Sequence, residues 1–390
     1  MTADTIVEDQ KFQTDKVAIL SAGHSVQDTY QAFLPALLPI LIEKFSLMKT
    51  EAGLLSVFSS FPSLLQPIIG YLADNVGPRY FVILAPAVSA IMMSLLGVAP
   101  TYIVAALLLI VAGISSASIH ATGPVIAGRL SAQRLGMGMS FWMMGGEIGR
   151  VLGPLVIVSA VEYLKPQNTP WLAVGGVLTS VFLYFQLRNL NGRAFVHAAA
   201  PPWREALKSM RPVLLPVSAV LLLRAFAFVS VTTFLPTFLT EQGADLMMAG
   251  VSLSVMQAAG VAGAFLGGSL SDRLGRRPVL IAGMTLSAIT LFAFTSLEGW
   301  VLFPLLLALG FCLLSITPII MAIVQESFPD SRALANGIYM AVNFVSSSIV
   351  AVLIGAIGDL SSLRTAYYVS AALALASLPF ILSLPRVKKA

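Results

Sequence analysis

Twelve apolar windows of about 20 to 25 residues follow one another along this 390-residue chain, each long enough to cross a hydrocarbon layer about 30 Å thick. They run near 17–42, 52–73, 80–99, 101–128, 136–161 and 170–188, then near 212–239, 248–270, 278–296, 300–325, 333–357 and 364–384. Between them the chain has little polar surface to offer water: 57% of its residues are hydrophobic, 11% are charged and the mean hydropathy is +0.88. An all-α integral membrane protein with twelve transmembrane helices is expected.

The basic residues give an independent test, because cytoplasmic loops retain Lys and Arg. With the amino terminus inside, 17 of the 23 basic residues face the cytoplasm, Lys44, Lys49, Lys165 and Arg364 lie outside, and Arg150 and Arg224 fall within the membrane. The acids are nearly balanced, nine inside and seven outside. Both termini are therefore expected in the cytoplasm of a multi-pass inner (plasma) membrane protein. The +5 charge follows from topology, so nucleic-acid binding is not needed to explain it. Residues 1–16 have no basic start or short apolar core of a cleavable signal and read as a cytoplasmic tail. Residues 189–211 form the one long polar interruption, a cytoplasmic linker between halves at 17–188 and 212–384, with a short tail at 385–390. Trp203–Met210 suits either a short interfacial helix or a plain tether. The single cysteine, Cys312, lies in an apolar run and reads as a small buried hydrophobe.

The halves echo each other. Gly268-Ser269-Leu270-Ser271-Asp272-Arg273-Leu274-Gly275-Arg276-Arg277 has a weaker copy 198 residues earlier, Gly70-Tyr71-Leu72-Ala73-Asp74-Asn75-Val76-Gly77-Pro78-Arg79. Phe33-Leu34-Pro35 recurs as Phe234-Leu235-Pro236 at an offset of 201. Each copy of the charged stretch falls between the second and third spans of its half, where it reads as a tight turn. Its aspartate can pair with the neighbouring arginines near helix ends, and its glycines permit a sharp turn and close helix approach.

Over almost its whole length the chain resembles a major facilitator superfamily (MFS) transporter, whose signature is roughly G-x-L-x-D-R-x-G-R-R/K. Gly268, Leu270, Asp272, Arg273, Gly275, Arg276 and Arg277 meet it nearly completely. The first copy keeps Gly70, Leu72, Asp74, Gly77 and Arg79 but has Asn75 and Pro78 where basic residues are usual. Gly23-His24-Ser25-Val26-Gln27-Asp28 resembles the opening of the fosmidomycin-resistance branch of drug exporters. Where that branch carries His-Pro-Glu in its fourth span, this chain has His120-Ala121-Thr122. The resemblance implies an MFS fold, two pseudo-symmetric six-helix bundles working by alternating access. It also implies that the charged turns act as a cytoplasmic gate.

Ionisable groups within a membrane are costly and mark candidate sites. Here they are His24, Asp28, His120, Glu147, Arg150 and Arg224. Asp28, Glu147 and Arg224 lie 11 to 12 residues into their spans, roughly 16 to 18 Å deep, the level of a midplane transport site. His24 and Asp28, four apart, share a helix face and form a candidate proton carrier. His120, on the fourth span, is a further candidate for proton coupling or substrate contact. Glu147 and Arg150, three apart, either neutralise each other or serve coupling and substrate binding. They lie within Gly145-Gly146-Glu147-Ile148-Gly149-Arg150-Val151-Leu152-Gly153-Pro154, whose Gly149, Gly153 and Pro154 resemble the antiporter motif of proton-driven exporters, with Ser140 where a fuller version has glycine. Small residues every four positions equally suit tight helix packing. Arg224 has no partner on its own helix and calls for Asp28, Glu147 or an anionic substrate.

These residues point to a proton-coupled exporter of a small organic compound, anionic or drug-like. Proton-coupled uptake of a small organic anion and export of lipophilic cations stand beside it. No catalytic, metal-binding or phosphate-binding motif is present in the sequence, and no segment is large enough for a soluble output domain, so neither an enzyme nor a sensor is expected. No cofactor or metal is called for. The partners expected are substrate, protons and lipid, around a monomer.

Overall fold

The computed structural model describes residues 12–132, 134–188, 203–328 and 332–385; the side chains of 74–76, 203–209, 332 and 333 lie outside that description. Much of the two predicted tails, and residues 189–202 of the predicted linker, fall outside it too.

Twelve helical rods are present among the described residues. In the first half, α1 consists of Thr14–Gln31 and Phe33–Phe45, and α2 of Lys49–Ser60 and Gln66–Val76 joined by a short 3₁₀ stretch, Phe61–Leu65. They are followed by α3 (Pro78–Leu96), α4 (Tyr102–Leu130), α5 (Leu135–Ser159) and α6 (Ala173–Leu187). The second half comprises α7 (Trp203–Glu241), α8 (Leu246–Leu274), α9 (Arg276–Ser296), α10 (Leu302–Ser327), α11 (Arg332–Leu360) and α12 (Leu363–Ala376, continued by Leu378–Ser383). Each rod falls on one of the twelve apolar windows. Eleven are long and apolar enough to span a membrane, α6 when counted from Pro166; α1 is interrupted at Ala32. Pro35 explains that break, since it brings no N–H to the Gln31 carbonyl and crowds it. A separate interfacial helix at Trp203–Met210 is not formed: the backbone there is the start of α7, which passes Pro212 and Pro216 unbroken.

The repeated charged stretch becomes two equivalent turns. Gly77 between α2 and α3 has φ +110°, and Gly275 between α8 and α9 has φ +97°. An L-side chain disfavours that backbone, so glycine is needed there. Gly70 and Gly268 were expected to permit close helix approach, but a Cβ at either would meet nothing within 4 Å. Their surroundings are open in this conformation.

The bundles meet at the ends of the helices remote from both chain termini. There α2 packs on α11, the second segment of α1 on α7, and α5 on α8. Gly53 faces the backbone of Ala351, Gly355 faces that of Lys49, and Gly250 receives Val158. One apolar core runs through both bundles at this level. A second core, with Leu20, Ile126, Trp142 and Leu187, belongs to the first bundle alone and lies towards the termini.

Within the first bundle, α1 and α5 cross with their backbones in contact. Gly145, Gly149 and Gly153 face the carbonyls of Ser21, Ser25 and Thr29, so the glycines and the carbonyls they meet both recur every four residues. At Gly149 a Cβ would also come within 2.9 Å of the Asp28 Cβ. Overpacking of this kind costs about 1–3 kcal/mol. Gly149→Ala should therefore lower the melting temperature of the purified protein, whereas Gly136→Ala, where a Cβ meets nothing within 4 Å, should leave it unchanged or higher.

Candidate functional site

Helical spacing places His24 and Asp28 on one face of α1, and both are buried at 4% and 5% exposure. That face lies on the glycine seam of α5; a Cβ at Gly146 would stand 2.6 Å from His24 Cε1 and 3.0 Å from Asp28 Oδ2. His24 Nε2 is 3.5 Å from Asp28 Oδ2, and His120 Nε2, arriving from α4, is 3.5 Å from Asp28 Oδ1. The carboxylate is thus held between two imidazoles. The predicted pair at 24 and 28 is present, and His120 joins it from 92 residues further on.

Two further features fix this cluster. His24 Nδ1 is 2.9 Å from the Trp142 carbonyl oxygen. A carbonyl only accepts, so Nδ1 donates and its proton is placed. The Trp142 indole stacks on the His24 ring, centroids 3.8 Å apart and planes within 10°, and a Cβ at Gly123 on α4 would collide with it. Nothing in the sequence distinguished Trp142 from an ordinary core aromatic. Behind Asp28, Gln27 and Gln31 donate to Ser89 on α3 at 2.6 and 3.0 Å, and Ser89 donates to Ser115 on α4. This polar shelf was also not foreseen. Of the cluster only His120 is substantially exposed, at 36% of its side chain.

Glu147 and Arg150 form an ion pair on α5, with a quarter and nearly half of their side chains exposed. Charged groups so exposed at mid-helix are expected to face a water-filled cavity and not lipid. The ion pair expected of two groups three apart on a helix is present. Gly149, Gly153 and Pro154 are all buried on α5, and the two glycines form its contact with α1.

Arg224 was expected to face Asp28 or Glu147 across the cavity. It does not. Its guanidinium is 2% exposed, donates to Thr317 Oγ1 at 2.6 Å and the Leu313 carbonyl at 3.1 Å on α10, and lies over the Phe228 ring at 4.8 Å. Its Nε has no hydrogen-bond partner, and no described carboxylate lies within 4 Å. The reach of the side chain explains the difference, because α10 of its own bundle supplies acceptors before the cavity is crossed.

In the second charged turn, Arg276 binds Asp272 at 2.6 Å, Ser271 at 2.6 Å and Glu326 at the end of α10 at 2.6 Å. Glu326 completes the cluster and was not identified from the sequence; an acid closing a helix end carries no pattern of its own. Arg273 is exposed and Arg277 half-buried. In the first turn Arg79 lies over the Tyr80 ring at 4.9 Å, while the side chain of Asp74 is outside the described residues.

The opposite end carries a junction that was also not anticipated. Asp359 at the end of α11 accepts from the backbone N–H groups of Lys49 and Thr50 at 2.7 and 2.9 Å and from Thr50 Oγ1 at 2.6 Å, capping the first turn of α2 from the other bundle. Lys49 Nζ pairs with Glu241 of α7 at 3.0 Å.

Comparison with known proteins agrees with this architecture. The chain is 25% identical over 370 residues to the fosmidomycin resistance protein of Escherichia coli K12, covering 91% of this chain and 89% of that protein. It is 24% identical over 356 residues to the uncharacterized MFS-type transporter YfnC of Bacillus subtilis, covering 88% and 87%. The crystal structure of a D-xylose–proton symporter superposes with a TM-score of 0.79 at 16% identity, covering 97% of this chain and 99% of that one. The family model described as Major Facilitator Superfamily matches residues 20–268 and 254–390. With twelve helices in two bundles and a family match along nearly its whole length, this chain belongs to the Major Facilitator Superfamily, among the relatives of its drug-resistance transporters.

Proposed function

We propose that the protein is a proton-coupled secondary transporter that exports a small organic anion by alternating access, with Asp28 as the proton carrier. The observation that carries this reading is Asp28 itself, a buried carboxylate between His24 and His120 whose contact with the cavity runs through the partly exposed His120. A proton arriving from the cavity meets His120 first and passes to a carboxylate oxygen 3.5 Å away. Glu147, paired with Arg150 and exposed to the cavity, is the second acid within reach. Kinship with a resistance protein favours export, since the glycines of α5 are explained by packing. With both termini in the cytoplasm of the inner membrane, as the basic residues favour, the closed end is the outer one and the conformation faces inward.

Arg224 supports an anionic cargo. A buried guanidinium with no described carboxylate beside it is costly, and an anion reaching it at another stage of the cycle removes that cost. Because no carboxylate has to be displaced, anion and proton occupy separate bundles and are coupled only through the motion of the two halves.

In proteoliposomes bearing a pH gradient, the parent protein should move substrate against its gradient and Asp28→Asn should not; if Asp28→Asn still does so, the proton passes to Glu147. Arg224→Lys keeps the charge but loses the planar fork, and should weaken anion binding by about tenfold or more while sparing lipophilic cations. Unchanged affinity for every carried anion, or binding of lipophilic cations alone, would remove the anionic reading. For the outer closure, Asp359→Asn should raise the thiol labelling of Ala351→Cys in a Cys312→Ala background by about 5- to 150-fold, the range for a loss of about 1–3 kcal/mol. Position 351 is 3% exposed beneath the α2–α11 contact, so unchanged labelling would mean that Asp359 does not hold the bundles together.

A further inference from the structure

We infer that His24, Asp28 and His120 form a binding site for a first-row divalent cation of the Zn²⁺ class, with an open coordination position towards the cavity. The starting point is a mismatch of lone pairs. His24 Nδ1 spends its proton on the Trp142 carbonyl, so the neutral ring presents a bare lone pair at Nε2, and that lone pair faces a carboxylate oxygen 3.5 Å away. Neither His24 Nε2 nor Asp28 Oδ1 has a hydrogen-bond partner, although both atoms are buried. His120 Nε2 brings a third donor to the same space, and one ligand atom from each residue can be chosen so that all three lie within 4.8 Å of one another.

Such an arrangement lacks a positive centre. Zn²⁺ holds imidazole nitrogen and carboxylate oxygen at about 2.0–2.2 Å, which puts tetrahedral neighbours about 3.4 Å apart. Each imidazole nitrogen stands 3.5 Å from a carboxylate oxygen, close to that value, with His24 facing Oδ2 and His120 facing Oδ1, so the ion would sit against the carboxylate as a whole and not against a single oxygen. Two imidazoles and one carboxylate suit Zn²⁺ and its neighbours better than Mg²⁺ or Ca²⁺, which take oxygen. The surroundings have the form of a metal site's outer support. The Nδ1–H bond to Trp142 fixes the tautomer and ring orientation of His24, the indole stacks on its face, and the glycine seam holds α1 close against α5. Arg150 carries a nearby positive charge but is neutralised by Glu147. Three protein ligands leave a fourth position, and the exposed flank of His120 directs it to the cavity, where water or an anion can fill it.

Equilibrium binding tests this without any transport measurement, so failure of the proton-coupled reading and failure of the metal site are distinguishable. Untagged protein in detergent and metal-free buffer is titrated with Co²⁺ and followed by visible absorption, then with Zn²⁺ in competition. One saturable site is expected, with the strong visible bands of a four-coordinate ion, bleached by Zn²⁺. His120→Ala and His24→Ala should each weaken it by about tenfold to a hundredfold, while His197→Ala, which removes the remaining histidine of the chain, should leave it intact. Should His24→Ala fail to yield monodisperse protein, His120→Gln decides alone, because that ring is partly exposed and does not carry the packing. Absence of a saturable site, binding indifferent to His120, or binding lost in His197→Ala would each overturn the assignment.

Discussion

The backbone contact between α1 and α5 is the constraint on which the candidate site depends. In lipid, apolar side chains gain little by meeting each other, so helix association relies on close packing and on groups that can approach without obstruction. Gly145, Gly149 and Gly153 provide that approach, and Gly146 extends the same face beneath His24 and Asp28. With side chains there, α1 would stand further off, and the His24 ring would lose both the Trp142 carbonyl and the indole face. The chemistry of Asp28 is therefore set by residues with no chemistry of their own.

The division of charge between the halves is uneven. The first bundle concentrates a buried acid and two imidazoles, one of them partly exposed, on α1 and α4, whereas among the described residues the second offers the buried Arg224 guanidinium on α7, satisfied in part by α10. The two halves share a helical frame and equivalent turns at Gly77 and Gly275, yet the groups lining them are not copies. A duplicated scaffold has been furnished differently on its two sides.

Most of the frame was legible in the sequence because hydropathy and backbone freedom are local properties. Each apolar window became a helix, and the 198-residue echo became two glycine turns. The site was legible in part. His24 and Asp28 lie on one helix, so spacing alone put them together; His120 lies on another, and its approach to Asp28 depends on how α4 packs. Trp142, Glu326 and Asp359 were not found, since an aromatic in an apolar run and an acid at a helix end look ordinary until their partners are known. Arg224 was assigned to the wrong neighbour for the reverse reason. Depth from the sequence gave its level, but not the direction of its side chain, and Thr317 lay nearer than any carboxylate.

The cap that Asp359 places on α2 has a bearing on how easily the closed end can part. At this cap, what one bundle lends the other is a set of acceptors for N–H groups at a helix start. These are the groups that water satisfies when no cap is present. On separation the vacated N–H groups and the freed carboxylate would both be hydrated at once, so this cap adds to the cost of parting only the difference between two sets of hydrogen bonds, not the loss of one. A junction made in this way can part and re-form without stranding a polar group.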